Sequence, residues 1–248
     1  SARNAGLTAS SGSYIKFLDS DDYLLPGTVA TQVEQAHQLS SNQIVFGDAI
    51  LVDSSGNTLK EAFYREFEDG FQMTGETIIR QSPLTSMPLY PVSALRAVSG
   101  FDLQMPAAQE YDLHLRLFFA GWRFIFNRTT SYAYRKHASL NRISTQKQSR
   151  NSLECRFQGY RSHLDLARGF YEGSVPQAVN AAFASVFWET GRFALRCDQS
   201  SIAKLYFKQA RQLAADPFQS SSLGYRIACR LLGPCIAERI STSLLKLR

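Results

Sequence analysis

A mixed α/β domain followed by an all-helical module is the architecture this 248-residue chain predicts. Three features carry that expectation. The run Tyr14-Ile15-Lys16-Phe17-Leu18 is short, apolar and rich in β-formers, and it stops at Asp19-Ser20-Asp21-Asp22, as a buried strand does when it delivers polar groups to its C-terminal end. Helical and strand-like segments then alternate as far as Arg135. Beyond that, helical spacing alone remains, so the expected division is residues 1–145 for the sheet domain and 146–248 for the helical module.

The elements follow in order. Ser1-Ala2-Arg3-Asn4-Ala5-Gly6 opens on a helix-like turn and reads as the middle of a domain, so a first strand and its loop are expected to be missing from the chain. After Pro26-Gly27, the stretch Thr28 to Leu39 carries Val29, Val33 and Ala36 at helical spacing, which predicts a helix laid on the sheet. Gln43 to Val52 reads as a second strand, and Asp53-Ser54-Ser55-Gly56-Asn57 as a turn, with Gly and Asn supplying backbone angles other residues resist. Glu61 to Tyr90 is irregular, with a short helix closing at Thr77-Ile78-Ile79-Arg80 and Pro83, Pro88 and Pro91 marking a long loop, a length often tied to function. Val92 to Val98 is helical and is stopped by Gly100. A helix from Glu110 to Ala120 sets Leu113, Leu117 and Ala120 on one face, and Gly121 breaks it before a strand at Phe124-Ile125-Phe126, where Trp122 and Phe124 pack the sheet. Tyr132-Ala133-Tyr134-Arg135 is a further short strand leading to His137.

In the second half, Leu153, Phe157, Tyr160, Leu164 and Ala167 step by four and three, as do Val179, Phe183, Val186 and Thr190, and Ile202, Tyr206, Ala210 and Leu213. The helix pair around Trp188 to Ala215 has a tetratricopeptide character without a visible repeat. The tail sets Leu223, Ile227 and Leu231 on one stripe and Ile236, Ile240, Leu244 and Leu247 on another, with Gly233-Pro234 between them and Arg226, Arg230, Arg239, Lys246 and Arg248 on the other faces. Two readings fit this tail: a basic amphipathic segment lying on an anionic membrane surface, or a stripe docked on the preceding helices.

Composition narrows the class. A hydrophobic fraction of 44% fills a real core, and the net charge of +6 permits contact with nucleic acid, anionic lipid or phosphorylated small molecules. The lysines and arginines are dispersed and no nucleic-acid motif accompanies them, so nucleic acid is not an expected partner. Cys155, Cys197, Cys229 and Cys235 form no CxxC pair, which suits free thiols in a reducing compartment. No apolar window is long enough for a transmembrane helix and no signal-peptide pattern opens the chain, so a cytoplasmic location is expected. Walker, GxSxG and HExxH motifs are absent, which removes the common hydrolase and nucleotide-triphosphatase readings.

The acidic cluster is the sharpest chemical signal. Asp19 and Asp21, two residues apart on extended backbone, can share a hard cation such as magnesium or manganese, whose other ligands would be diphosphate oxygens. The alternative is a solvated turn in which Asp22 caps the next helix. His37, His114 and His163 match no ligand spacing and read as structural.

Three ordered blocks add weight to the metal reading. Ala2-Arg3-Asn4-Ala5-Gly6 followed by Gly12 to Asp22 closely resembles the segment of family 2 glycosyltransferases in which an Arg-Asn-x-Gly element precedes the DxD strand. Gly100-Phe101-Asp102 and Gln109-Glu110-Tyr111-Asp112-Leu113-His114-Leu115-Arg116-Leu117 resemble the family's Gly-Phe-Asp and Glu-Asp-x-Asp-Leu-x-x-Arg-Leu segments, with Gln109-Glu110 where many members have Glu-Asp. Tyr134-Arg135-Lys136-His137 resembles its Tyr-Arg-x-His segment.

The resemblance implies part of a GT-A fold and an inverting transfer of sugar from a nucleotide-diphosphate sugar to a glycan, lipid-linked or protein acceptor, in a setting such as envelope polysaccharide synthesis. It implies donor binding by Arg3, Asp19 and Asp21, a Mn2+ or Mg2+ ion held by Asp21, Asp19 and His137, and Glu110 as the general base. Glu110 also suits the first turn of a helix on dipole grounds, and Asp112 and Arg116 read as a structural ion pair. The family's opening strand and Asp-Asp-Gly-Ser-like segment have no counterpart here, so a second reading is a non-catalytic remnant that serves as an interaction or scaffold module.

Overall fold

A computed structural model of the chain describes residues 2–105, 107–136, 148–218 and 221–246. They form two compact units, the first Ser1–Leu103 with Ala108–Asn141 and the second Gln104–Ala107 with Arg142–Arg248.

The first unit is a mixed sheet dressed with helices. Its elements are α1 (Ala2–Ala9), β1 (Tyr14–Ile15), β2 (Tyr23–Leu24), α2 (Thr28–Gln38), β3 (Gln43–Val52), β4 (Thr58–Lys60), α3 (Gly75–Arg80), β5 (Pro88–Pro91), α4 (Val92–Ala97), α5 (Gln109–Phe119) and β6 (Arg123–Arg135). The strand order is β1-β5-β3-β6-β2, with β4 also paired to β3. Among the described strands only β3 and β6 run parallel. They form the centre, and Ile44, Val45, Phe46, Phe124 and Phe126 are buried there.

β6 is one long strand where two short ones are expected. Its register against β3 shifts between Gly47↔Asn127, Asp48↔Thr130 and Ala49↔Tyr132, so Arg128 and Thr129 bulge out of the ladder. Asn127 Oδ1 stabilises the bulge by accepting the Thr129 N–H at 2.9 Å. A Cβ on Gly47 would come within 2.5 Å of the Thr129 carbonyl oxygen, so the crossing has no room for a side chain.

Other departures from expectation have local causes. Of the run Tyr14 to Leu18, only Tyr14 and Ile15 enter the ladder, opposite Pro91 and Tyr90. β5 forms despite two prolines because they stand at its ends, and Leu89 and Tyr90 between them are buried. β4 closes a hairpin on the Asp53 turn, where Asp53 Oδ1 accepts the N–H groups of Ser55 and Asn57. α2 buries polar Thr28 and Gln32 while Val29 stays exposed, the opposite of its apolar spacing. The reason is hydrogen bonding: Thr28 Oγ1 donates to the Ser131 carbonyl at 2.8 Å and Gln32 Nε2 to the Met87 carbonyl at 2.9 Å. In α5, Leu113 and Leu117 are buried as expected, while Ala120 is exposed.

The second unit is helical throughout its described elements: α6 (Arg150–Phe170), α7 (Gln177–Arg196), α8 (Ser200–Leu213), α9 (Leu223–Leu232) and α10 (Pro234–Lys246). Leu153, Phe157, Tyr160, Leu164 and Ala167 all point into its core, together with Phe183, Phe187, Ile202 and Tyr206. Gly191 lets α7 and α8 approach closely, since a Cβ there would lie 2.9 Å from the Phe207 ring. The tail packs by a face that its apolar stripes do not mark. Tyr225, Cys229, Ala237 and Glu238 are buried, whereas Leu223, Ile227 and Leu231 face solvent. All four cysteines are free thiols, and no described helix is long and apolar enough to cross a membrane.

Candidate active site

The first two of the three sequence blocks join through a short set of bonds. The Asn4 side chain donates to the Phe101 carbonyl at 2.8 Å and accepts the Phe101 N–H at 2.9 Å, a two-point clasp across 97 residues. Gly100 (φ +67°) makes the clasp possible, because a Cβ there would stand 2.7 Å from Asn4 Oδ1. Beside it, Arg3 Nη2 donates to Asp19 Oδ1 at 2.6 Å while its guanidinium lies 5.3 Å from the Phe101 ring centre. Phe101 meets Phe17 edge-on at 5.1 Å, and Phe17 meets Tyr90 at 5.6 Å.

α5 is stitched to the same turn. Arg116 donates to the Val98 and Gly100 carbonyls at 2.6 and 2.8 Å and pairs with Asp112 at 2.6 Å, the structural ion pair that the spacing suggests. α5 starts from Ala108, whose φ of 59° is unusual for a residue with a side chain, and no side chain caps the helix. Glu110 is half-buried in its first turn. Glu110 and Arg3 both act on the buried Tyr90 hydroxyl: burial and then the Glu110 charge push its pKa well up, and Arg3 opposes them.

The acidic turn is tied to the end of β6. Asp22 Oδ1 accepts the Arg135 N–H at 2.9 Å, and the Asp22 N–H donates to the Asp19 carbonyl at 3.0 Å. Asp22 therefore anchors a strand end, and the residue at the N-terminus of α2 is Gly27. The charges of Asp22 and Asp19 reach the buried Tyr132, whose pKa is raised first by burial. Asp21 is half-buried between them in the chain. Of the predicted site residues, the bonds above connect Arg3 with Asp19, Glu110 shares the surroundings of Tyr90 with Arg3, and His137 lies outside the described residues.

Hard carboxylate oxygens on this turn suit a magnesium or manganese ion. Among the described residues no group of three or more His, Cys, Asp or Glu stands ready to hold a metal, and Asp19 and Asp22 already have partners.

Two supporting groups escape a reading by motif. Lys16 Nζ donates to Gln32 Oε1 at 2.6 Å and to the Met87 carbonyl at 2.9 Å, and burial pushes its pKa down to about 7. Its signal was a single lysine inside an apolar run. His114 bonds the Tyr90 hydroxyl through Nε2 at 2.6 Å and Ser82 Oγ through Nδ1 at 2.7 Å. Burial lowers its pKa to about 3, so the ring is neutral, with one nitrogen donating and the other accepting.

Glycosyltransferase like family 2 matches residues 1–171, and the chain belongs to that family. The match runs through the first unit and past the end of α6. A protein of Rickettsia bellii (strain RML369-C) described as an uncharacterized glycosyltransferase is 31% identical over 125 residues, 48% of this chain and 18% of that protein. The chain thus spans about a fifth of that relative's length. Among solved structures, S. aureus TarS 1–349 in complex with UDP-GlcNAc is similar at 16% identity, covering 84% of this chain and 70% of that one with a TM-score of 0.45. TarS 1–349 in complex with UDP gives 15% identity, 89% and 71% coverage and a TM-score of 0.44.

Proposed function

We propose that the first unit is the donor and acceptor part of a GT-A glycosyltransferase that moves a sugar from a nucleotide-diphosphate sugar to an acceptor hydroxyl with inversion. In this reading Arg3 helps hold the nucleotide side of the donor, Asp19 lies near its ribose or the metal, Asp21 binds the metal that grips the diphosphate, and Glu110 removes the acceptor proton as the hydroxyl attacks the anomeric carbon from the side opposite the leaving phosphate. Asp21 and Asp19 would hold Mn2+ or Mg2+, with His137 as a third ligand, and the ion would neutralise charge on the departing nucleotide. The acceptor would be a glycan, a lipid-linked sugar or a protein, and the enzyme would work in the cytoplasm, at the inner face of the membrane, in building envelope polysaccharide.

The observation that supports this best is the continuous network from Arg3-Asn4 through Asp19 and Gly100-Phe101 to α5, because it joins a would-be donor site to the helix that carries the base. Calorimetry of UDP binding to the chain in manganese tests it. Binding is expected to require the metal, to vanish in Asp21→Ala, and to survive in Glu110→Gln, whose carboxylate serves the acceptor. Binding that ignores both metal and Asp21 would overturn the reading, and absence of any binding would favour a scaffold role.

A further inference from the structure

The tail of the second unit leaves an apolar surface uncovered. Leu223, Ile227 and Leu231 follow one another four residues apart along α9, and Leu231 is 77% exposed. Leu232, Ile236 and Ile240 continue the exposed set across Gly233 into α10. Six large aliphatic side chains on two consecutive short helices exceed the scattered singles of an ordinary surface. The burial of α9 and α10 is complete without them. Tyr225 lies under the Arg192 guanidinium at 4.3 Å, and Glu238 accepts from Arg192 at 2.6 Å and from Arg196 at 3.2 Å.

The charged residues that line the groove beside this surface are all cationic. The two acids nearest in sequence are used inside the unit: Glu238 is buried against Arg192 and Arg196, and Asp216 pairs with both Arg226 and Arg230. On a helical wheel Arg226 and Arg230 border the α9 stripe, and Asp216 holds both guanidinium heads against the unit. At the corner between α9 and α10, Pro234 and Cys235 share a groove with Lys204, Lys208 and Arg211 of α8. Among the described residues none of these three, nor the exposed Arg239, has a carboxylate partner. A second copy of the chain would bring this cationic border against itself. An anionic bilayer meets both demands, taking the aliphatic side chains below its headgroups and the cations at their level.

We propose that α9, α10 and the Lys204–Lys208–Arg211 face of α8 form a surface that docks on anionic lipid. It rests on the membrane part of the functional reading above and specifies the residues that serve it, while donor binding by the first unit is independent of it. The test is cosedimentation of the full chain with vesicles of phosphatidylcholine alone and with a quarter phosphatidylglycerol, at low and high salt. Binding is expected only to the mixed vesicles, weakening as salt rises, and falling about tenfold or more in Ile227→Ser/Leu231→Ser and in Lys204→Glu/Lys208→Glu. Both changes are at exposed positions, so the melting temperature should hold, and UDP calorimetry on the same samples separates this result from failure of the donor site. Equal binding to neutral vesicles, no binding to either, or a self-association abolished by Ile227→Ser/Leu231→Ser would overturn the proposal.

Discussion

In the first unit, polar side chains join distant stretches: Asn4 to Phe101, Gln32 to Met87, Thr28 to Ser131, and Asp48 to the amides of Phe63 and Tyr64. In the second, aromatic rings meet one another: Phe157 with Phe187 and Tyr206, and Trp188 with Phe207 and Phe218. A hydrogen bond fixes direction as well as distance, which loops carrying a site require. Apolar packing fixes proximity, and the regular spacing of helices supplies the direction.

The contrast can be broken most strongly in the helical unit. Phe187→Ala removes a fully buried ring and should cost about 3–5 kcal/mol, read from urea unfolding, with any UDP binding by the sheet unit unchanged. A loss under 1 kcal/mol would mean that the aromatic cluster is not what holds this unit. Asn4→Ala should cost less, about 1–3 kcal/mol, because it unpairs one backbone N–H and one carbonyl. Its effect on any UDP binding should nevertheless exceed that of any core substitution in the second unit, since it frees the Gly100-Phe101 turn against whose ring the Arg3 guanidinium lies.

A pH-dependent test sharpens the polar side of the comparison. Lys16 has a pKa of about 7 in the folded chain against an ordinary 10.5, so between those values the unfolded chain holds a proton that the folded one has released. Stability from this group therefore rises as pH climbs from about 7 towards 10.5, and below that window the buried charge is a standing cost. Lys16→Met should flatten that rise in unfolding experiments across the window, with little change near pH 10. An unchanged slope would assign the pH dependence to other groups.

Periodicity made the second unit legible, because each helix there buries the face that its spacing marks, from Leu153 through Tyr206. The tail is the exception: its apolar stripes stay outside, and Glu238 is inside only because two arginines on another helix neutralise it, a pairing that spacing along one helix cannot reveal. In the first unit β3 was legible from end to end, while β5 was hidden by prolines whose placement at strand ends depends on neighbours far away in sequence. The same reason hid the buried face of α2, which is chosen by the Met87 and Ser131 carbonyls and not by its valines. At the candidate site, the family resemblance pointed to Arg3, Asp19, Asp21, Glu110 and His137, whereas the two-point bonding of Asn4 is visible only once Phe101 lies beside it.

The clasp between Asn4 and Phe101 also sets an order of assembly. Helices such as α1 and α5 can form locally within about a microsecond, whereas this contact closes a loop of 97 residues. The turn that carries Asp19 and the Gly100 corner therefore become one surface late in folding. An amide at Phe101 that exchanges with solvent before those of β3 would mark a chain whose sheet is intact and whose Asn4-Phe101 clasp has opened.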